Sequence, residues 1–458
     1  MKKERDEKKL VFSVTPFILL LSLPLLCVGV DFLWGNRITL DQWMQNFSVS
    51  ETGVRAAKKK VQDKKFNNFH LARLVRGEDR RKLDDTGFAC HRAIHSTHCV
   101  STKAVRIDTR NMTLYIPSDE SWRNETVVRP YPWNGYDVNE ISAVRIIQYS
   151  NTSAPPPCEF HHDVPAVVFS SGYTGNTYHE MSEIIIPLFI TTKQFQSRVV
   201  LVMEDYKPSF IAKYGTILSH LSAHEVMNPA ANATVHCFPA SIVGLKYHGI
   251  LALNSSDIPG GYGMPEFRHF LRDTFGLRFE HVSQIPRPRL LLLSRTNSRK
   301  FLNEDEMIGM IEDVGFEVMM VRGSKVASNL RKLSQLINSC SVILGAHGAG
   351  LTNDVFLPRG GVIIQVEPLG TEWISKVIFG DTARAMGLHH LRYKIEEHES
   401  SLLKLYGRNS SVITDPESVY REAGYTAARA VFFDQQNLKL NLARFRETVV
   451  EALSIVSD

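Results

Sequence analysis

The chain has 458 residues, 43% of them hydrophobic, which is enough for two or three domains with cores of their own. Its formal charge is only +5, and the basic residues are dispersed instead of forming a stripe, so a nucleic-acid partner is excluded. No repeat at solenoid spacing occurs, which excludes a repeat array.

Residues 1–9 carry Lys2, Lys3, Arg5, Lys8 and Lys9, and residues 10–30 follow without a charge. About 20 apolar residues span a bilayer and basic flanks stay cytosolic, so the expectation is a cytosolic tail at 1–9, a transmembrane signal anchor at 10–30, and a luminal remainder. A cleaved signal peptide is the rival reading, because Pro16 and Pro24 interrupt the run. The run is nevertheless longer than a usual signal core and leads into Phe32, Leu33 and Trp34. Residues 31–85 are charged and short of apolar periodicity, and they read as a stem. Sequons for N-glycosylation begin at Asn46, Asn111, Asn124, Asn151, Asn232, Asn254 and Asn409, which fits a secretory lumen. Cys27 lies in the apolar span; Cys90 and Cys99, close in sequence, are the expected disulfide, and Cys340 reads as a buried apolar residue. His91, His95 and His98 beside those cysteines match no common zinc spacing, so no metal ligand set is expected.

From 86 to 285 the pattern is mixed. Strands are predicted at 166–170 and 198–203, a helix at 178–191 disturbed near its end by Pro187, and a second helix at 264–275, where Phe267, Phe270 and Leu271 recur at helical spacing. Two prolines, Pro286 and Pro288, mark a link between domains. Beyond it the alternation is regular: a strand at 290–293, a helix opened by the capping pair Asn303 and Glu306, a strand at 317–321, a helix at 329–338, and strands at 342–344 and 362–366. Strands and helices alternating over short connections predict a parallel, doubly wound sheet.

The strand at 342–344 runs into Gly345 and then His347-Gly348-Ala349-Gly350, with a helix predicted to begin near Leu351. Small residues let backbone approach a ligand, and the free amides of a helix start favour an anion such as a diphosphate. Glu367 closes the next strand at the carboxyl edge of the sheet, where a carboxylate suits a nucleotide diol. No Asp-x-Asp occurs in the chain, so phosphate charge is expected to meet cations of the protein, and Ser294-Arg295, Arg299 and Lys300 follow a strand. For the glycines alone, plain packing in a Rossmann-like unit is the competing reading.

The wider pattern decides between them. His347-Gly348-Ala349-Gly350-Leu351-Thr352-Asn353, Phe356-Leu357-Pro358 and Glu367-Pro368 are preceded by Gly172-Tyr173-Thr174-Gly175-Asn176 with His179-Glu180 and Ile186-Pro187-Leu188-Phe189. His236-Cys237-Phe238 with Val243-Gly244-Leu245, and Leu293-Ser294-Arg295 with Arg299, lie between. In this order the motifs resemble glycosyltransferase family 61, the plant xylan arabinosyl- and xylosyltransferase group, related to the N-glycan β-1,2-xylosyltransferase. The resemblance covers about residues 86–450. It implies a GT-B fold of two Rossmann-like domains facing a cleft, an acceptor-side domain at 86–285 and a nucleotide-sugar-binding domain at 286–458. It further implies an inverting transfer of a pentose, arabinofuranose or xylose, from a UDP-sugar donor to a xylan or other glycan acceptor, at the Golgi membrane. No cofactor or metal is expected.

Under that resemblance the donor-binding residues are Ser294, Arg295, Arg299, His347, Gly348, Ala349, Gly350, Thr352, Asn353 and Glu367. Glu180 is the first choice as general base, with His179 and Glu183 as alternates. The chain departs from the family where Glu180 and Glu183 stand in place of frequent aspartates, and where Lys103-Ala104 replaces a Gly-Asp before Arg106. The alternatives are β-1,2-xylosyl transfer to N-glycan cores, and a non-catalytic relative that binds nucleotide sugar or polysaccharide.

Overall fold

The computed structural model describes residue 55 and residues 58–457, apart from 94–95, 120–123, 134–139, 151–154, 232, 250, 252, 254–255, 257 and 324–328. The expected tail and membrane span, His95, and the sequons at Asn46, Asn151, Asn232 and Asn254 lie outside the described residues. Among the described residues no helix is long and apolar enough to cross a membrane. The chain divides into two units, Met1–Phe66, in which residues 58–66 are helical, and Asn67–Asp458.

The larger unit is mixed α/β. Its strands, in chain order, are β1 (Phe88–Arg92), β2 (Thr97–Ser101), β3 (Val105–Asp108), β4 (Thr113–Pro117), β5 (Asn124–Val128), β6 (Val144–Tyr149), β7 (Phe160–His161), β8 (Ala166–Phe169), β9 (Val200–Met203), β10 (Val235–Phe238) and β11 (Ser241–Val243), then β12 (Arg289–Ser294), β13 (Glu317–Arg322), β14 (Val342–Ala346), β15 (Val362–Glu367) and β16 (His389–Lys394).

The last five form one sheet in the order β13-β12-β14-β15-β16, every pair parallel. β14 and β15 are buried on both faces, so their sequences are mostly apolar without alternation, as central parallel strands require, with buried Gln365 and Glu367 the polar exceptions toward the end of β15. The edge strands β13 and β16 are instead exposed at both ends, where Glu317, Arg322, His389 and Lys394 block further pairing. Gly315 stops the helix Glu304–Val314 in a left-handed cap with φ 119°. The predicted Asn303 cap takes another form: its side chain pairs with both backbone groups of Leu440. Leu290, Leu292, Val342, Leu344, Val362 and Ile364 meet Phe432, Phe445 and Val449 from the C-terminal segment in one core. Each such fully buried side chain contributes about 1.5–3 kcal/mol. From β12 the chain steps outward to β13 and then returns to the other side for β14. The order therefore reverses between β12 and β14, and the loops leaving their carboxyl ends diverge into a crevice.

The N-terminal part departs from a single Rossmann-like sheet. Parallel β11-β8-β9 is only a three-strand remnant of that pattern, and the antiparallel hairpin β1-β2 extends it. A second, six-stranded mixed sheet, β5-β6-β4-β3-β10-β7, shares its core through Val105, Ile107, Leu114, Ile146, Val168 and Val202. Disulfides join Cys90 to Cys99 across β1 and β2, and Cys158 to Cys237 on β10, while Cys340 is free and buried. Residues 67–85, read from sequence as stem, belong to this unit, where Leu71, Leu74, Val75 and Leu83 are buried and His98 Nε2 meets the Leu74 carbonyl at 2.9 Å.

Candidate functional site

The first wall of the site is a helical run after β8. Asn176 caps it by accepting from the Tyr178 amide at 3.0 Å. The run begins as α-helix (Thr177–Glu180), widens to a π-turn (Met181–Ile185) and resumes as α-helix (Ile186–Thr192). Pro187 explains the widening. Lacking an N–H, it cannot bond the Glu183 carbonyl, and the ladder shifts so that Ile186 N–H reaches Met181 O.

His179 and Glu183 sit one turn apart on this run, with Nδ1 and Oε1 separated by 2.9 Å. The other carboxylate oxygen of Glu183 accepts from the Tyr131 hydroxyl. Tyr131 reaches this position because Gly172 has no side chain: a Cβ there would lie 2.1 Å from Tyr131 Cε2. Glu183 accepting at Oε1 fixes the proton of a neutral imidazole on Nδ1 and leaves the lone pair on Nε2.

The opposite wall is built at the β12–β14 reversal. Arg295 Nε donates to Ser298 O at 2.8 Å, and Arg299 Nη1 donates to His347 O at 2.6 Å. Arg299 has a left-handed backbone, φ 55°, stabilised by its N–H to Gln436 O, and its guanidinium lies 5.1 Å from the Phe433 ring centre. Burial lowers the pKa of both arginines. Arg299 falls to about 9, first through desolvation and then through the like charge of Arg295, with Asp434 opposing. Two guanidinium groups that repel each other, Arg299 buried and Arg295 half-buried, are relieved by an anion.

His347 is enclosed by the ring edges of Phe379 and Phe433. Gln365 Nε2 donates to its Nδ1 at 2.8 Å, and His390 Nε2 donates to Gln365 Oε1 at 2.7 Å, so His347 carries its proton on Nε2. Burial, followed by the charges of Arg299 and Arg295, pushes the His347 pKa down to about 3, and the ring is a neutral donor. At Gly348 a Cβ would meet Arg295 Nη1 at 2.9 Å and Arg299 Nη1 at 3.1 Å, so the missing side chain is what lets both cations lie against the turn.

These walls line one cleft of about 670 Å³, which brings together His179, Glu183, Arg295, Arg299, His347, Gly348, Ala349 and Gly350. That size admits a sizeable ligand. A side chamber of about 250 Å³ shares Arg295 and Gly350 and adds Ser294, Asn353, Leu293, Val321 and Leu333.

Three expected residues lie elsewhere. Glu180 is buried away from the cleft and accepts from Gly175 N at 3.0 Å, Lys213 Nζ at 2.5 Å and Tyr214 Oη at 2.9 Å, which makes it a structural anchor. Glu367 is buried in a two-pronged pair with Arg392, at 2.5 and 2.9 Å, and does not line the cleft. Thr352 is buried within the 3-10 helix Ala349–Phe356, which starts ahead of the expected Leu351. Residues that sequence reasoning missed also line the cleft: Trp133, Tyr247, Trp373, Tyr425, Arg429, Phe433 and Asp434. No motif marks them; the one local signal is Gly424 ahead of Tyr425, a break in a helical pattern.

A cationic crevice at the reversal of an α/β sheet, faced by a histidine–carboxylate pair, is a site suited to group transfer from a phosphate-bearing donor. Residues 177–364, which span both walls, match the glycosyltransferase 61 domain. An alpha-1,3-arabinosyltransferase of Oryza sativa subsp. japonica is 37% identical over 364 residues, covering 78% of this chain and 63% of that protein. A beta-1,2-xylosyltransferase of the same organism is 34% identical over 366 residues, covering 76% of this chain and 63% of its own length. A xylan glycosyltransferase of Arabidopsis thaliana is 28% identical over 474 residues, 98% of this chain and 92% of that protein. The chain belongs to glycosyltransferase family 61. It spans less than two thirds of the length of either rice protein.

Proposed function

We propose that the protein is an inverting glycosyltransferase of GT-B arrangement that moves a pentose, arabinofuranose or xylose, from a UDP-sugar to a xylan backbone. The observation that carries this reading is the pairing, across one cleft, of His179–Glu183 with Arg295, Arg299 and His347. The activities named for the rice and Arabidopsis relatives support the choice of sugar and acceptor.

In this reading Arg295 and Arg299 hold the diphosphate and neutralise its charge as the bond from the sugar C1 to the phosphate oxygen breaks. His347 adds a neutral Nε2–H donor. The side chamber, with apolar Leu293, Val321 and Leu333 and the amide of Asn353, suits the nucleoside. An acceptor hydroxyl attacks C1 from the face opposite UDP and passes its proton to His179 Nε2, and Glu183 stabilises the imidazolium that forms. The base assignment moves from Glu180 to His179 because Glu180 is buried among Lys213 and Tyr214.

UDP release from a panel of UDP-pentoses, with and without xylo-oligosaccharide, tests the reading. Release that no UDP-pentose and no xylo-oligosaccharide stimulates rejects it. Attachment to the Golgi membrane by residues 10–30, with the rest luminal, belongs to the same proposal; Asn111 and Asn409 are exposed and open to glycans. Peptide N-glycosidase should then lower the apparent mass of the expressed protein, and an unchanged mass counts against the topology.

A further inference from the structure

The transfer reading leaves one stretch of the cleft without a task. Its buried end holds Arg299 and His347, whereas Trp373, Val377 and Tyr425 line the same cleft at 50%, 49% and 53% exposure. Exposed large apolar side chains gathered on one wall mark a surface that is covered by something in use.

Trp373 is held in place. Its ring meets Tyr420 edge to face at 6.2 Å and 90°, Tyr420 stacks on Phe432 at an interplanar angle of 15°, and the Tyr420 hydroxyl donates to Gly370 O at 2.7 Å. Tyr425 follows Gly424, whose φ of 77° and ψ of 171° break the helix Pro416–Arg429. Only a residue at ease with positive φ makes that break without strain. On the facing wall Trp133 and Tyr247 pack with ring centres 5.3 Å apart.

Fixed indole and phenol faces offer broad apolar contact at small entropic cost, together with polar edges. That chemistry matches the C–H faces of a pyranose ring whose hydroxyls are equatorial, and a neutral chain of such rings lies beside the arginine cluster without repulsion or competition. We propose that Trp373, Val377 and Tyr425, with Trp133 and Tyr247 opposite, form an acceptor platform on which a neutral β-linked pyranose chain stacks and delivers its hydroxyl to His179. The proposal rests on the transfer reading above and adds the residues that select the acceptor.

The test is calorimetric titration of the full chain with xylohexaose and, separately, with UDP, alongside transfer assays, for wild type, Trp373→Ala, Trp373→Phe and Tyr425→Ala. Xylohexaose affinity should fall about tenfold or more in both alanine variants and largely return in Trp373→Phe. UDP affinity should stay within about twofold, which also reports that the variants are folded. Undiminished xylohexaose binding in both alanine variants overturns the platform, as does an equal loss of UDP binding, or wild type that binds a glycopeptide but no xylohexaose. Transfer with an unchanged acceptor KM in the alanine variants rejects the platform and spares the transfer reading. Xylohexaose binding that depends on Trp373, without transfer from any UDP-sugar, supports the platform and rejects the transfer reading.

Discussion

His179 Nδ1 donates to Glu183 Oε1 over 2.9 Å, and the carboxylate that receives this proton is itself buried and held by Tyr131. A buried carboxylate against one ring nitrogen orients the imidazole and fixes which nitrogen carries the proton. His179→Gln should lower turnover by about 10² to 10⁴ while leaving UDP affinity intact. Glu183→Gln should lower turnover as well, because the imidazolium that forms during transfer loses its counter-charge. Turnover near the wild-type level in folded His179→Gln would end the assignment.

Glu180 should behave in the opposite way. Its carboxylate neutralises Lys213, which is largely buried, and binds Gly175 and Tyr214 at the start of the helical run. Glu180→Gln leaves the lysine without its counter-charge and should cost on the order of 3 kcal/mol of stability. Thermal unfolding should shift down, whereas turnover per folded molecule holds. Wild-type stability with lost turnover would return Glu180 to the role of base.

This contrast shows how far sequence carries. A parallel sheet was legible from β12 to β15, where short apolar strands alternate with helices, and His347 with Gly348 and Arg295 stood at the strands' carboxyl ends; β16, an exposed edge strand of largely polar sequence, was not predicted. β1 to β7 were not legible: they are short, and β5, for example, alternates exposure without a strong apolar signal. Within the site, the sequence put Glu180 first as general base and His179 and Glu183 behind it, with nothing but position on the helix to rank them. Only the packing of Lys213, Tyr214 and Tyr131, distant in sequence, separates the anchor from the pair that faces the cleft. Glu367 looked like a ligand because its position fits one, but Arg392 on the neighbouring strand β16 claims it.

The donor wall gives a prediction that turns on one methyl group. In Gly348→Ala the new Cβ would press on the guanidinium groups of Arg295 and Arg299, which would have to swing away. UDP binding should weaken about tenfold, and Arg295→Ala should weaken it about 10- to 100-fold, since a charge-assisted contact contributes roughly 1.5–3 kcal/mol. With arginines in this role, chelator should leave both variants and wild type otherwise unchanged. Restoration of activity by manganese after chelation would instead require a metal-binding carboxylate, and unaltered UDP affinity in Gly348→Ala would show that the diphosphate lies elsewhere.

Stability against pH should carry two opposing signatures. His98 and His347 are buried, and burial lowers them to about 4 and about 3 from an unfolded value of 6.5. Below 6.5 the unfolded chain takes up protons that the folded chain refuses, so each histidine costs stability as pH falls from 6.5 toward its folded value, by about 1.4 kcal/mol per pH unit. Asp354, buried beside the donor turn, works the other way. Desolvation raises its carboxyl to about 7 from 3.8, against the pull of Arg268. Between 3.8 and 7 the folded chain keeps a proton that the unfolded chain has lost, so stability falls as pH rises through that window and the full penalty stands above 7. Asp354→Asn keeps the shape and removes the titration. Its melting temperature should exceed that of wild type at about pH 8, and the difference should shrink steadily toward about pH 4. A difference that stays constant with pH would show that this carboxyl does not titrate in the folded protein across that window.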